Sequence, residues 1–462
     1  MQTTYPVPKA AALSVNYRGP LAIVTTLFFM WGFLTSLNDI LVPHLKSIFD
    51  LSYARVMLVQ FAFFSAYFLF SVPWSRIVNT IGYQRTMVIG LLTMAIGAFL
   101  FLPAASAASY PLFLTALLIL AAGITGLQVA ANPYVVVLGK PETGSSRLDL
   151  TQAFNSLGTT IAPRIGGLLI LSAAPLAMYQ VQRMAPHALH AYRVAESTSV
   201  KMPYTVIGIA LILLAIVIGV LRLPQIEGAV YPRGGNVSDS IWKHPNLVLA
   251  AIGIFAYVGA EVSIGSFLIN YFELPAIAGF SAETAAGFVS FYWGGSMVGR
   301  FLGAELLRRV KPENVLAICA ILAATLVAAS MLLSGHAAMW TILAVGLFNS
   351  IMFPTIFSLG VAELGPLTSN GSGILNMAIV GGAIFPVLQG VIADHVGIHH
   401  AFVLPVACYL YILYFGLSGS KPNSERYGML DEQRTRGQAM LVAGNVGGTK
   451  TDLASRRLML ER

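Results

Sequence analysis

Long apolar stretches separated by short polar connections run through most of the chain, and Ile207–Val220 and Val315–Leu333 are unbroken by any charged residue. A membrane β-barrel would instead show short segments of alternating apolar and polar positions, about 10 residues each. A spanning helix needs roughly 20 predominantly apolar residues, and the pattern predicts twelve of them: 21–45, 56–79, 84–105, 110–138, 150–174, 203–223, 245–272, 284–307, 312–334, 338–362, 370–395 and 399–418. Gly and Pro interrupt several, which a bundle tolerates because neighbouring helices satisfy the freed backbone groups.

The longest polar connection, Leu223 to Lys243, falls after the sixth helix and divides the chain into two halves. Each half carries a basic turn between its second and third helices, Asn79-Thr-Ile-Gly-Tyr-Gln-Arg85 in one and Arg308-Arg-Val-Lys-Pro312 in the other. The expected organisation is an amino-terminal segment 1–20, a six-helix half 21–223, a linker 224–244, a second six-helix half 245–418 and a tail 419–462. Lys and Arg in the short connections set orientation. With the amino terminus inside, the inner segments hold twelve of them, among them Arg76, Arg85, Lys140, Arg147, Arg308, Arg309 and Lys311, against five outside. Both termini are therefore expected in the cytoplasm, with the protein crossing a bacterial inner membrane many times.

Composition agrees with a lipid-embedded chain. Apolar residues make up 56% and charged residues 10% of the 462, where soluble domains carry about 25% charged residues. The net charge of +8 is explained by cytoplasmic loops, so no nucleic-acid partner is expected. Cys319 and Cys408 both lie in apolar runs, which excludes a disulfide framework and a cysteine metal site. No apolar core precedes Leu21, so the first helix, and not a cleaved signal, is expected to direct insertion. The tail is expected to be disordered. Its Val442-Ala-Gly-Asn-Val-Gly-Gly-Thr-Lys-Thr-Asp452 resembles the phosphate-binding opening of glucokinase-type sugar kinases, which usually have Asp where this chain has Asn445, but the tail is too short to form a kinase.

Ionisable side chains inside spans are costly and mark function by default. Asp39 and Glu261 are the candidates for proton coupling; Arg164 and Arg300 are the intraspan cations, Arg164 read as a partner or a snorkelling charge and Arg300 as a charge at a gating turn. Amides both donate and accept, as a hydroxyl-rich ligand requires. Gln128 and Asn132, four apart, share a helix face, as do Gln152 and Asn155, three apart. Asn38, Asn270, Asn349 and Asn376 add further amides, and Trp31, Tyr257, Tyr271 and Trp293 offer flat apolar surface. Any one of these amides could equally tie helix to helix; their number favours a polar cavity. A membrane-embedded enzyme would need a nucleophile–base pair or a metal constellation, and the chain has no His-Glu-x-x-His, paired Cys or Gly-x-Ser-x-Gly motif.

Four segments resemble the fucose–galactose–glucose:proton symporter family of the major facilitator superfamily. They are Phe28-Phe-Met-Trp-Gly-Phe33 with Leu37-Asn-Asp-Ile-Leu41, Gln128-Val-Ala-Ala-Asn-Pro-Tyr134 with Leu138-Gly139, Arg147-Leu-Asp-Leu-Thr-Gln-Ala-Phe-Asn-Ser-Leu-Gly158, and Gly259-Ala-Glu-Val-Ser-Ile-Gly-Ser266. The resemblance implies the all-α major facilitator fold, with substrate bound at the midplane between two pseudo-symmetric halves. It also implies a protonatable Asp39 and a sugar cavity lined by Gln152 and Asn155. The fucose branch has a Glu at the position of Gln128; a Gln there looks more like the glucose/galactose branch. The expected function is proton-coupled symport of glucose or galactose by a monomer, with no cofactor. Fucose as substrate and sodium as coupling ion stay open, since Asp39 with backbone carbonyls could bind a hard cation. A transport-dead sugar sensor is the alternative of a different class.

Overall fold

The computed structural model describes residues 18–49, 53–170, 184–198, 200–221, 223–224 and 244–420, and among these it holds helices and turns but no strand. The first half contains α1 (Arg18–Phe49), α2 (Tyr53–Ile81), α3 (Tyr83–Ser106), α4 (Tyr110–Val137), α5 (Gly144–Ile170), α6 (Pro186–Thr198) and α7 (Lys201–Val220). The second contains α8 (Pro245–Glu273), α9 (Ala282–Leu306), α10 (Pro312–Leu332), α11 (Gly335–Asn349), α12 (Met352–Val361), α13 (Thr368–Met377), α14 (Gly381–Val396), α15 (Ile398–Ala401) and α16 (Val403–Tyr414). Ten of the described segments are long and apolar enough to cross a bilayer. The remaining two spans are α5 and α9, with 27 and 25 residues; at 1.5 Å per residue they reach about 40 Å.

Packing separates two six-helix units. In the first, α1 lies on α5, α4 on α2 and α3, and α3 on α7; in the second, α8 lies on α14 and α16, and α11 on α9 and α10. The units meet through α5 against α9 and α2 against α13, with α12 on α5 and α13 on α4.

The observed elements differ from the expected ones in three places. The fifth span begins at Gly144, not 150, because a 3-10 turn at Pro141–Thr143 leads directly into it. Arg147, one turn in, donates to the carbonyls of Val135 (3.1 Å), Val136 (2.6 Å) and Lys140 (2.9 Å), which satisfies the open end of α4. The last three spans are interrupted, at Ser350–Ile351, by a 3-10 turn over Ala378–Val380, and at Phe402. The connection after the fifth span, expected as a loop, contains the short helix α6, which packs on α1, α3 and α7. The amino-terminal 17 residues, the inter-half connection 225–243 and the tail from 421 lie outside the described residues.

Glycine sets how closely the spans approach, as expected where van der Waals packing drives helix association in lipid. A Cβ on Gly158 of α5 would overlap the Phe29 carbonyl oxygen of α1 and sit 2.9 Å from the Phe33 nitrogen, and one on Gly32 of α1 would overlap the Asn155 main chain. Gly158→Leu is expected to lower the thermal unfolding midpoint of the detergent-purified protein, since forced overpacking costs about 1–3 kcal/mol. Gly390→Leu is the control, because a Cβ there meets only the Phe267 ring at 3.7 Å. Equal melting of the two variants would remove the close α1–α5 approach as a determinant of stability.

Candidate functional site

Between the halves lies a cavity of about 160 Å³ whose lining is polar at its centre and aromatic at its edge. The first half contributes Trp31 and Thr35 from α1, Tyr67 from α2, Gln128 from α4, and Gln152, Asn155 and Thr159 from α5. The second contributes Tyr257, Val258 and Glu261 from α8, Arg300 from α9, and Phe353 and Ile379. Broken helices supply the last two positions, where the backbone departs from regular α geometry beside the cavity.

The amides are partly committed to holding the walls. Gln128 donates to the Tyr67 hydroxyl at 2.8 Å, and Asn155 donates to the Phe28 carbonyl of α1 at 2.9 Å. Gln152, Asn155 and Gln128 are each more than nine-tenths buried. The Arg300 guanidinium crosses from α9 towards α5. It donates to the carbonyls of Ser350 (3.2 Å) and Gln152 (3.4 Å) and to the Ser156 hydroxyl. Glu261 stands near both Arg300 and the Tyr257 hydroxyl, and its Oε1 has no hydrogen-bond partner. Behind it, in the second half, Asn349 donates to the Tyr292 hydroxyl at 2.7 Å. Among the described residues the cavity thus holds one carboxylate, one guanidinium and several amides and hydroxyls, flanked by the Trp31 and Phe353 rings. That set can donate to and accept from a molecule with many hydroxyls while packing a ring face on the apolar face of a small ring.

At one end the halves are tightly closed. The Ser145 and Ser358 hydroxyls are 2.6 Å apart, Ser146 donates to the Ala304 carbonyl at 2.5 Å, and Ser372 donates to the Val129 carbonyl at 2.9 Å. Asn79 bonds both Ser369 and Asn370. Going the other way along α5 and α9, the contacts continue through the Phe154–Phe301 ring pair at 5.8 Å and Thr160 against Met297 at 3.6 Å. One turn further on, a side chain at Gly294 would meet nothing within 4 Å.

Of the residues singled out in the sequence, Gln128, Gln152, Asn155, Glu261, Trp31 and Tyr257 come together in the cavity. Others do not. Asn132 is fully buried in α4, with neither amide atom partnered, nearer the closed end than Gln128. Asn376 is buried in α13 and donates to the Ser372 carbonyl at 2.9 Å. Asn270 lies exposed near the end of α8 and faces Glu273 at 3.5 Å. Tyr271 is bonded to the Ser330 carbonyl and beside His399, and Trp293 is 41% exposed on α9. Asn38, Asp39 and Arg164 belong to α1 and α5, but their side chains lie outside the described residues. The reading of Arg300 as a gating charge left out its place in the cavity wall. Asp149 escaped notice altogether: it is completely buried at the closed interface. Its signal was present as an acidic residue in the quoted helix 5 motif, but a span assumed to begin at 150 excluded it.

Comparison with known proteins gives one family. The model of the Major Facilitator Superfamily matches residues 23–380. A glucose/galactose transporter of Brucella abortus biovar 1 (strain 9-941) is 51% identical over 91% of this chain and 98% of its own. A putative glucose/galactose transporter of Helicobacter pylori (strain J99 / ATCC 700824) is 44% identical over 87% of this chain and 97% of its own. The crystal structure of the transporter FucP in the outward conformation superposes with a TM-score of 0.81 at 35% identity, covering 88% of this chain and 99% of that one.

Proposed function

The chain belongs to the Major Facilitator Superfamily, and from that premise we propose that it carries glucose and galactose into the cell together with a proton. The observation that carries this reading is a cavity between the halves where Gln128, Gln152 and Asn155 face Glu261 and Arg300. The names of the 51% and 44% identical relatives supply the sugar. Sugar hydroxyls are bound by Gln152, Asn155 and Gln128, with Trp31 packing against the ring. Glu261 carries a proton from within the cavity and Asp39 from α1. Asn132, Asn376 and Asn270 line no part of this cavity, and Asn38 lies beside Asp39 in the sequence of α1.

The closed end is rich in basic residues, with Arg76, Arg85, Lys140, Arg308, Arg309 and Lys311 at its helix ends and turns, so by the positive-inside rule it faces the cytoplasm. Both termini are cytoplasmic in this arrangement, the membrane is the bacterial inner membrane, and the conformation is outward-facing. Sugar and proton enter from outside, and rocking of the halves delivers them inward.

Uptake of labelled glucose into proteoliposomes, with and without an imposed proton gradient, tests the reading. Accumulation driven by a sodium gradient and not by protons would replace the coupling ion. Accumulation independent of either would make the chain a uniporter, and no uptake at all would leave a sensor. Asp39→Asn and Glu261→Gln keep shape and hydrogen bonding but carry no proton, so each is expected to lose uphill accumulation while counterflow exchange survives. Normal accumulation by either variant removes that residue from the coupling.

Gln152→Ala and Asn155→Ala are each expected to weaken equilibrium sugar binding by about 0.5–1.5 kcal/mol, the net worth of one hydrogen bond. Unchanged affinity in both would assign the two amides to packing alone, as the Asn155 bond to Phe28 already does in part.

Glucose and galactose are expected to compete with labelled glucose far better than L-fucose does. L-Fucose has no C6 hydroxyl, and a site built to pair hydroxyls rejects an analogue that leaves its buried groups unpaired. Competition by fucose equal to that by glucose would move the chain to the fucose branch.

A further inference from the structure

Asp149 is fully buried where α5 meets α9, and neither of its carboxylate oxygens has a hydrogen-bond partner. Its side chain lies against Gly303 of α9, where an added Cβ would come within 2.7 Å of Oδ2. Three residues back on α9, and so on the same face, is Arg300. The guanidinium acts electrostatically on Asp149 and on Glu261 alike. It is within ion-pair distance of neither: the ion pairs among the described residues are those of Glu305 with Arg308 and Arg309. One cation therefore acts on two carboxylates, the half-buried Glu261 of the cavity and the fully buried Asp149 of the closed interface.

The three charges are unevenly divided between the halves. Glu261 and Arg300 belong to the second half and stay together when the halves rock. Asp149 belongs to the first. Parting the closed end takes Asp149 away from Arg300, whose attraction offsets part of the cost of its buried charge. We propose that Asp149 is a positioning residue of the transport cycle. Acting through Arg300, it holds the halves together at this end, and loss of its charge shifts the chain towards the state that is open there. The inference rests on the alternating-access reading above, but its test needs no sugar.

The closed interface provides its own reporter, since the Ser145 and Ser358 hydroxyls are 2.6 Å apart across it. With Cys319 and Cys408 changed to Ser, the pair Ser145→Cys and Ser358→Cys is expected to cross-link readily under mild oxidation in membranes. Adding Asp149→Asn, which is isosteric and breaks no hydrogen bond, should slow cross-linking about fivefold or more, the usual lower size of a coupling between sites. Asp149→Glu should restore the parent rate. A separate reporter, Gly294→Cys, sits where a side chain meets nothing within 4 Å, and Asp149→Asn should make it less reactive to an impermeant maleimide as that end closes. Parent-like rates at both reporters in Asp149→Asn would overturn the proposal. So would equal slowing by Asn and Glu, which would mean packing and not charge, or loss of Asp149→Asn from the membrane while Asp149→Glu inserts, which would mean a folding role. Glucose uptake by the protein with its native residues tests the transport reading separately.

Discussion

A charged or amide side chain in the middle of a membrane has to be answered by another helix, because lipid offers it nothing. In this chain that requirement falls on α5 and α9, the two spans outside the set that is apolar enough to cross unaided. Each supplies what the other needs. Arg300 of α9 reaches the Gln152 carbonyl and the Ser156 hydroxyl of α5, and Ser146 of α5 reaches the Ala304 carbonyl of α9. The two helices belong to different halves, so the polar groups that cannot face lipid are forced onto the boundary along which the halves separate. The cavity and Asp149 border this contact, and the closed end extends from it to α5 against α12 and to α2 and α4 against α13.

Much of this was legible in the chain itself. Rare ionisable groups in apolar runs pick out Glu261, and the three-residue spacing of Gln152 and Asn155 puts both on one face; the structure brings all three to the cavity. Helical periodicity fixes direction around the axis but leaves height along it undetermined. Asn132 shares the face of Gln128 but lies four residues, about 6 Å, towards the closed end, and there it is buried without a partner. Asn270 is nine residues beyond Glu261, about 13 Å along α8, which carries it past the cavity to an exposed position. Asp149 was hidden for a related reason. Its neighbours Ser145 and Ser146 look like a solvated loop, and only α12 and α9 of the other half make them interior. The breaks in the last three spans also depend on packing that no local pattern records.

The position of the cavity carboxylate changes what rocking can do. The fucose branch carries its Glu at the position of Gln128, on α4; here that position is an amide that donates to Tyr67, and among the described residues the carboxylate lining the cavity is Glu261, on α8. An acid on α4 would stand in the half opposite Arg300, and its distance from the guanidinium would change as rigid halves rotate. An acid on α8 moves with Arg300. In the proposed cycle, then, gain and loss of a proton by Glu261 cannot be driven by approach to or retreat from that cation. Two variables remain: the access of water to Glu261 from one side or the other, and the competition for Arg300 from a charge that does change its distance. Asp149 is placed to be that competitor, because it faces Arg300 only while its end is closed. With Glu261 fixed beside its cation, charge can report which way the site is open only through an acid of the other half, and Asp149 and Asp39 both belong to that half.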